Sequence, residues 1–219
     1  ITHQLTVLSG KTNWFSTKLH QFFIKKYTEC WIPDVADIVN LSGKMGHSKM
    51  KKQPKYIGVL SRFSKKETVI ENQLLVLLSG PEPQRTVLEK IILNELQNYP
   101  EKTLLIQGKI AENQKIEKPN NNLTIYNFMT STELENAINA SELILCRSGY
   151  SSIMDLSVLE KKAFFIPTPG QFEQEYLAKK MKQQGFANYS KQDNFSITDL
   201  KTTTQFQGIP NLKQNVDWE

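Results

Sequence analysis

One stretch of the sequence combines small residues, a hydroxyl and a carboxylate at a spacing that suits a nucleotide. It opens with Arg147, Ser148 and Gly149, and Ser152 and Asp155 follow within the next two helical turns. Small residues at a helix start leave backbone N–H groups open to phosphate oxygens. A carboxylate one turn further along the same face can accept hydrogen bonds from both hydroxyls of a ribose. The pattern predicts a nucleotide diphosphate site, and an ordinary helix start with an acid near its positive end is the alternative.

A second turn has the residue types of a phosphate loop. Ser79 and Gly80 follow an apolar run, and Arg85 lies a short distance further on. Glycine lets the backbone approach a phosphate closely, and an arginine can hold two phosphate oxygens at once. The segment predicts a phosphate contact, with a plain Ser-Gly turn as the alternative.

A third turn carries amides and a carboxylate. Gln171, Gln174 and Glu175 fall where another apolar run passes into a helical pattern. Amide and carboxylate groups can hydrogen-bond to sugar hydroxyls, so the segment predicts contacts to a sugar. A solvated helix start is the alternative.

The elements that must position these turns alternate between apolar runs and helix-period segments. We predict strands at residues 74–78, 103–107, 123–128, 143–146 and 163–166, and helices at residues 83–98, 130–140, 151–160 and 173–184. The first of these strands is apolar throughout, as in a parallel sheet that is covered on both faces. Thr130 and Glu133 form a capping-box pattern, and residues 108–122 are predicted to be a polar loop. The pattern predicts a doubly wound α/β sheet with right-handed crossovers, which brings the three turns to one edge.

The first sixty or so residues predict a separate and incomplete unit. We expect a strand at residues 1–8, a helix at 14–27 with an apolar face, and short strands at 30–32 and 56–60. These elements are too few to cover a parallel sheet on both faces. We therefore expect residues 1–63 to be the end of one α/β domain and residues 64–219 to form a complete Rossmann-like domain. The polar segment 62–73 links the two.

Composition and charge narrow the class of protein. The 219 residues carry a net charge of +5, and no apolar run approaches the roughly 18 residues of a membrane-spanning helix. Cys30 and Cys146 lie far apart, which argues against a disulfide framework or a zinc site and favours a reducing cytoplasm. The excess positive charge lies between Lys44 and Lys66, where eight basic residues occur without an acid. Such a stretch can meet an anionic membrane surface or be a solvated loop, and without any zinc-finger or RNA-stacking motif nucleic acid is disfavoured.

The order and spacing of the three turns resemble the donor half of the GT-B glycosyltransferases, in particular the MurG-like enzymes of glycosyltransferase family 28. Residues 141–155 carry the most specific likeness, a strand followed by an Arg-Ser-Gly turn and a helix with a ribose-binding acid. That acid is Asp155 here, where the family usually has glutamate, and Ser152 matches a threonine near the phosphates. The resemblance extends over nearly the whole chain.

The resemblance also assigns roles outside this helix. It implies that Phe128 and Met129 hold uracil, largely through the backbone, and that Ser79 and Gly80 belong to the glycine-rich loop that opens the donor domain. The later glycines of that loop are missing in this sequence.

Two glutamines of the family touch the donor sugar. Gln174 matches the first of them, and Glu175 stands in the place of the second. At the front, residues 1–4 resemble an acceptor-domain segment that faces the cleft, which makes His3 the candidate catalytic base within this chain. The resemblance further implies that acceptor-domain residues precede Ile1 and hold the main base.

The activity that the resemblance implies is an inverting transfer of a sugar from a UDP-sugar to a hydroxyl acceptor, without a metal or another cofactor. N-acetylglucosamine is the candidate sugar and a lipid-linked molecule the candidate acceptor, in a cytoplasmic enzyme at the inner membrane face. This chain by itself is expected to hold the donor site and to lack turnover. Two alternatives stay open: a nucleotide-sugar hydrolase or epimerase of the same fold, and a non-catalytic nucleotide-sugar-binding module.

Overall fold

Nine strands and five α-helices lie in the part of the chain that this computed structural model describes, residues 1–2, 4–48 and 53–214. The strands are β1 (Trp31–Ile32), β2 (Lys55–Tyr56), β3 (Asn72–Leu77), β4 (Thr103–Ile106), β5 (Ile116–Asn120), β6 (Leu123–Tyr126), β7 (Ser141–Cys146), β8 (Lys162–Phe165) and β9 (Asn188–Tyr189). The α-helices are α1 (Asn13–Ile24), α2 (Gln84–Glu95), α3 (Ser131–Asn139), α4 (Tyr150–Val158) and α5 (Phe172–Gln183). Short 3₁₀ segments cover Gly10–Thr12, Gly43–Met45, Leu96–Asn98, Gln192–Asn194 and Ile197–Gln205.

Seven of the strands form one sheet in the order β5-β6-β4-β3-β7-β8-β9. All neighbouring pairs in it are parallel except β5 and β6. The chain leaves β3 through β4 and β6 on one side and then returns to β7 on the other, so the strand order reverses between β3 and β7. This is the doubly wound α/β fold that the sequence predicts, and the reversal marks the place where ligands bind in such sheets.

The sheet is covered on both faces, as the unbroken apolar run of β3 predicts. On one face Leu75 and Ile144 belong to a buried layer with Ile153 of α4 and Leu177 of α5. On the other face Leu74, Val76, Leu145 and Phe164 pack with the apolar side of α2 and with the C-terminal segment, through Leu88, Ile92, Phe195 and Leu200. Burial of side chains of this size contributes roughly 1.5–3 kcal/mol each, so the two layers are the main source of the sheet's stability.

The predicted elements of the second part form with shifts of a few residues at their ends, and the capping box of α3 is confirmed. The Glu133 carboxylate accepts the N–H of Thr130 at 2.7 Å, and the Thr130 hydroxyl accepts the N–H of Glu133 at 3.4 Å. The predicted loop at residues 108–122 is wrong in part, because it contains β5, an exposed edge strand of polar residues without an apolar alternation. The sequence pattern also missed β9.

The first part of the chain differs most from the sequence prediction. No strand forms among the described residues of the segment 1–8, and β1 pairs in parallel with β2 in a two-stranded sheet of their own. Helix α1 forms, but the side chains predicted as its apolar face are largely exposed, because the described residues provide no sheet face for it to cover. These side chains are Trp14, Phe15, Leu19, Phe22 and Phe23, with exposed fractions between 49% and 68%. No helix in the described ranges is both long and apolar enough to cross a membrane.

A buried carboxylate organises the loop that follows β1. Asp34 is completely buried and accepts hydrogen bonds from the N–H of Leu41 at 3.1 Å and from the N–H of Ser42 at 2.7 Å. The Ser42 hydroxyl donates to the same carboxylate at 2.5 Å, and Nε2 of His47 lies 3.6 Å from it. Burial acts to raise the pKa of Asp34, but the hydrogen bonds hold it below its ordinary value. The loop therefore has a fixed shape built around one negative charge.

This loop packs directly against the second part of the chain. Leu41 and Met45 of this loop, together with Phe63 from the segment after β2, join the buried layer that α4 and α5 form over the large sheet. The Tyr150 hydroxyl, at the start of α4, donates to the carbonyl oxygen of Pro33 at 2.8 Å. The position of α4 is thus tied to the loop after β1.

Candidate functional site

A cleft of about 340 Å³ opens at the carboxyl ends of β3, β4, β6 and β7, where the strand order reverses. Parallel strands end at the same edge, so the loops that follow them meet there. The cleft is lined by five of the residues predicted from the sequence, which are Ser79, Phe128, Met129, Ser152 and Asp155. Its inner wall is mainly apolar and includes Leu77, Leu78, Ile106, Ile138, Cys146 and Leu156.

One side of the cleft presents backbone groups from the turn between β6 and α3. The carbonyl oxygen of Phe128 accepts a hydrogen bond from Gln114 Nε2 at 3.1 Å, and its N–H bonds to Asn127 Oδ1 at 3.0 Å. The backbone N–H and carbonyl of Met129 have no partner among the described residues. Met129 therefore keeps an adjacent backbone donor and acceptor without a protein partner, at the position where the family resemblance implies a contact with uracil.

On the opposite side, Asp155 points its carboxylate into the cleft from α4. Its Oδ1 accepts a hydrogen bond from the Ser61 hydroxyl at 2.6 Å, and Oδ2 has no donor among the described residues. Burial raises the pKa of Asp155 above its ordinary value, while Ser61 and the nearby Arg62 guanidinium act in the opposite direction. Asp155 is thus a partly buried acceptor with one oxygen available to a ligand.

Helix α4 begins beside this carboxylate. Gly149 is the N-cap in an extended conformation, φ −69° and ψ 145°, and no side chain caps the first turn. Helix starts leave their first N–H groups without backbone partners, so those near Ser151 and Ser152 carry partial positive charge toward the cleft. Arg62 adds a full positive charge at the cleft, where its guanidinium lies 4.8 Å from the centre of the Phe63 ring.

Arg147 has a different place from the one that the sequence predicts. Its side chain is 2% exposed, and the guanidinium donates to the carbonyls of Ile166, Pro167 and Gln84 at 3.0, 3.2 and 3.0 Å. It also donates to Gln192 Oε1 at 2.7 Å. Burial lowers the pKa of Arg147 to about 10, so the group still carries its charge at neutral pH. Arg147 ties its own turn to three other segments behind the cleft instead of facing a phosphate.

Arg85 and Gly80, which the sequence predicts as phosphate contacts, are also not among the residues that line the cleft. Arg85 donates to the carbonyl of Gly108 at 2.7 Å and to Glu82 at 2.6 Å, which fixes the turn after β4. Gly108 itself lines the cleft with φ +68°, and a Cβ there would lie 2.5 Å from the carbonyl oxygen of Leu78. Gly80 has φ +98° and open space around it, so its turn leaves room beside Ser79.

The third predicted turn is bonded within itself. Gln174 Oε1 accepts the N–H of Thr168 at 2.8 Å, and its Nε2 donates to Gln171 Oε1 at 2.7 Å. The Glu175 carboxylate accepts the N–H of Gly170 at 3.1 Å. These contacts shape the turn, so the sugar-binding role predicted for Gln171, Gln174 and Glu175 requires them to exchange partners when a ligand arrives.

This third turn is also joined to the Arg-Ser-Gly turn. The buried Ser148 hydroxyl donates to the backbone oxygen of Gln174 at 2.8 Å. Ser148 is therefore engaged with protein, like Arg147, while Gly149 shapes the start of α4. His3, the candidate base, lies outside the described residues.

Comparison with known proteins identifies the family of this chain. Residues 74–212 match the family described as glycosyltransferase family 28 C-terminal domain, which is more than half of the chain. The chain belongs to glycosyltransferase family 28. The family and the α/β fold class predicted from the sequence are therefore confirmed.

Several glycosyltransferases resemble this family 28 chain. One is UDP-N-acetylglucosamine--N-acetylmuramyl-(pentapeptide) pyrophosphoryl-undecaprenol N-acetylglucosamine transferase of Sulfurihydrogenibium sp. (strain YO3AOP1), with 26% identity over 134 residues, which are 60% of this chain and 37% of that protein. Acinetobacter baumannii MurG has 17% identity and a TM-score of 0.49, over 74% of this chain and 50% of that one. SnogD from Streptomyces nogalater has 10% identity and a TM-score of 0.46, over 74% and 47%. The chain thus spans half or less of the length of these relatives.

Three of the lysines in the described part of the basic stretch at residues 44–66 have partners within the protein. Lys65 forms an ion pair with Glu160, and Lys66 pairs with Glu135 at 2.5 Å. The Lys44 ammonium lies 4.9 Å from the centre of the Tyr176 ring. The remaining basic residues at its centre, Lys49, Lys51 and Lys52, lie outside the described residues.

Sequence reasoning missed the contribution to this site of the linking segment, taken here as residues 61–73 because Ser61 adjoins it. Ser61, Arg62 and Phe63 reach the cleft or its carboxylate, although their polar and charged surroundings in the sequence suggest only a linker. Phe63 was the available signal, because it is a single aromatic residue in a polar run. In the structure this residue is only 5% exposed. A lone buried aromatic anchors a linker to the surface that it crosses.

Proposed function

We propose that the cleft binds the UDP part of a UDP-sugar and that the enzyme transfers this sugar, with inversion, to a hydroxyl acceptor. The observation that carries the proposal is that Asp155, the start of α4 and the free backbone of Met129 meet in one cleft where the strand order reverses. Family membership supports a glycosyltransferase, and this geometry supports a nucleotide as the part of the donor that is held here.

The uracil ring fits between the backbone of Met129 and the apolar wall of the cleft. A uracil edge presents an N–H donor beside a carbonyl acceptor, the complement of an adjacent backbone carbonyl and N–H. A purine has a larger ring system and a different pattern at its edge. The cleft volume of about 340 Å³ is at the lower end of small-ligand sites, which favours the smaller base.

The ribose then lies next to Asp155. With Oδ1 held by Ser61, the Oδ2 atom can accept a ribose hydroxyl, and a carboxylate oxygen has room for more than one donor. Hydrogen bonds to a charged acceptor are stronger than neutral ones. Asp155 is therefore the main polar determinant of nucleoside binding in this proposal.

The diphosphate extends toward the start of α4. During transfer, negative charge accumulates on the departing UDP, and the first-turn N–H groups of α4 and the Arg62 guanidinium stabilise it. A base from the acceptor side takes the proton of the attacking hydroxyl, which approaches the anomeric carbon from the face opposite the leaving group. The residues of this chain thus hold and stabilise the leaving group.

We propose N-acetylglucosamine as the sugar and a lipid-linked hydroxyl compound as the acceptor. The support is the name of the relative from Sulfurihydrogenibium, which is a UDP-N-acetylglucosamine-dependent transferase acting on an undecaprenol-linked compound. We further propose that the enzyme acts as a peripheral protein at the cytoplasmic face of the membrane, because the compound in the name of that relative is linked to undecaprenol, a lipid. The proposed reaction uses the UDP-sugar as substrate and assigns no metal or further cofactor.

Titration calorimetry with UDP tests the proposed site. We expect the chain to bind UDP, and Asp155→Asn to weaken binding by about 1.5–3 kcal/mol because it removes a charged hydrogen-bond acceptor. Glu117→Gln is the matched control, since Glu117 is an exposed acid on the edge strand β5, away from the cleft. Equal affinity of the wild type and Asp155→Asn for UDP would remove Asp155 from the site, and preference for ADP would contradict the base assignment.

A further inference from the structure

The segment that links the two parts of the chain reaches into the cleft at one hydroxyl. Ser61 is half-buried and lies beyond the end of β2, outside the residues that match the family model. Its Oγ donates to Asp155 Oδ1 across 94 positions of sequence, at 2.6 Å. The contact therefore joins the linking segment to the carboxylate of the proposed ribose site.

A second hydrogen bond fixes the direction of this contact. The backbone N–H of Phe63 donates to the same Ser61 oxygen at 3.0 Å. Because the Ser61 oxygen accepts the Phe63 N–H, the hydroxyl hydrogen of Ser61 must point away from Phe63. It therefore points at the Asp155 carboxylate. Phe63 is buried in the layer that contains Ile153 and Leu156 of α4, so the two-residue turn is anchored on the same helix that carries the carboxylate.

The carboxyl group that Ser61 contacts is the one acidic side chain that lines the cleft in the described part of the chain. The other ionisable groups lining it are Arg62 from the linking segment and Cys146 from the end of β7. Burial raises the pKa of the Cys146 thiol to about 12, so this group stays neutral below alkaline pH. Desolvation also raises the pKa of Asp155, and the Ser61 hydroxyl counteracts it by donating to the charged form.

We propose that Ser61 is a positioning residue for nucleotide binding: it holds one oxygen of the Asp155 carboxylate and leaves the other directed at the ribose. This inference rests on the proposed function, because it assigns to Ser61 an effect on the UDP affinity of that site. It also gives a part in donor binding to the linking segment, which lies outside the region that matches the family 28 domain.

The test compares Ser61→Ala with two control variants. Ser61→Thr retains the hydroxyl. Ser64→Ala removes the hydroxyl of an exposed serine in the same segment, which has no partner among the described residues. Two measurements are made on each protein. One is the pKa of the Asp155 carboxyl in the UDP-free chain, from ¹³C NMR with Asp155→Asn to assign the signal. The other is UDP affinity by calorimetry at neutral pH.

We expect Ser61→Ala to raise the pKa of Asp155 and to weaken UDP binding about threefold to tenfold. This is less than the effect of losing a direct hydrogen bond to a charged group, because Ser61 acts on UDP only through Asp155. Ser61→Thr and Ser64→Ala should behave like the wild type. An unchanged pKa of Asp155 in Ser61→Ala would overturn the role of Ser61. So would an unchanged UDP affinity of Ser61→Ala, if Asp155→Asn loses binding. Either result would leave the proposed function intact. Failure of the wild type to bind UDP would overturn the proposed function, and the ligand assigned to Ser61 with it.

Discussion

The arginine of the Arg-Ser-Gly turn shows how burial decides the role of a single residue. A guanidinium is well suited to phosphate, but here it donates four hydrogen bonds to protein oxygens and is 2% exposed. Removal of a buried charged donor leaves its acceptors unsatisfied, which costs more than the hydrogen bonds themselves are worth. The loops that these carbonyls belong to therefore depend on Arg147 for their arrangement.

We predict that Arg147→Met lowers the free energy of unfolding by at least about 1.5–3 kcal/mol, because at least one buried hydrogen bond to a charged group is not replaced. Urea unfolding monitored by circular dichroism measures it. Arg85→Met is the control, since Arg85 bonds one backbone carbonyl and a surface carboxylate, and it should cost less. Equal costs for the two variants would show that the burial of Arg147 carries no extra stabilisation.

At the scale of elements, the loop after β1 depends on one carboxylate for its shape. Burial acts to raise the pKa of Asp34, but the nearby His47 imidazole and the hydrogen bonds from Ser42 and the backbone hold it below its ordinary value. A group whose pKa is lower in the folded state stabilises the fold above its unfolded pKa. That stabilisation is lost as pH falls through the folded pKa.

We predict that Asp34→Asn destabilises the chain by about 1.5–3 kcal/mol at neutral pH, because an amide cannot accept from both Ser42 and the backbone N–H groups. The difference in the free energy of unfolding between the variant and the wild type should stay constant down to about pH 4. Below that pH it should narrow as the wild-type carboxylate becomes protonated. Chemical unfolding across this pH range measures it. Asp37→Asn, at an exposed position in the same loop, should show no such gap, and a gap that widens in acid would contradict the role given to Asp34.

At the scale of the whole molecule, the donor cleft and the first part of the chain have separate roles. The cleft is formed by the large sheet, by α3 and α4 and by the linking segment. The loop after β1 supports α4 from behind, through Tyr150 and the buried layer beneath it. In the proposed function, donor binding thus needs the second part together with its support, whereas transfer also needs an oriented acceptor and a base.

We expect this 219-residue chain to bind UDP without measurable sugar transfer to a lipid-linked or simple hydroxyl acceptor. Release of UDP from UDP-N-acetylglucosamine measures turnover, and the relative from Sulfurihydrogenibium serves as the positive control for the assay. Turnover comparable to that of the relative would show that the base lies within this chain, and His3 would be the first residue to replace.

The sequence by itself determined the family, the doubly wound sheet and the edge at which the cleft opens. Each depends on local patterns, such as the apolar run of β3 and the capping box at Thr130 and Glu133, and on the rule that parallel strands end together. Only the tertiary structure decided which polar groups face the cleft. Arg147 and Gln174 find partners inside the protein while Asp155 keeps an oxygen free, and the Ser61 hydroxyl arrives from far along the chain. The reason is that a polar group is satisfied by whatever donor or acceptor lies within about 3 Å after folding, and sequence spacing does not encode that distance between remote segments.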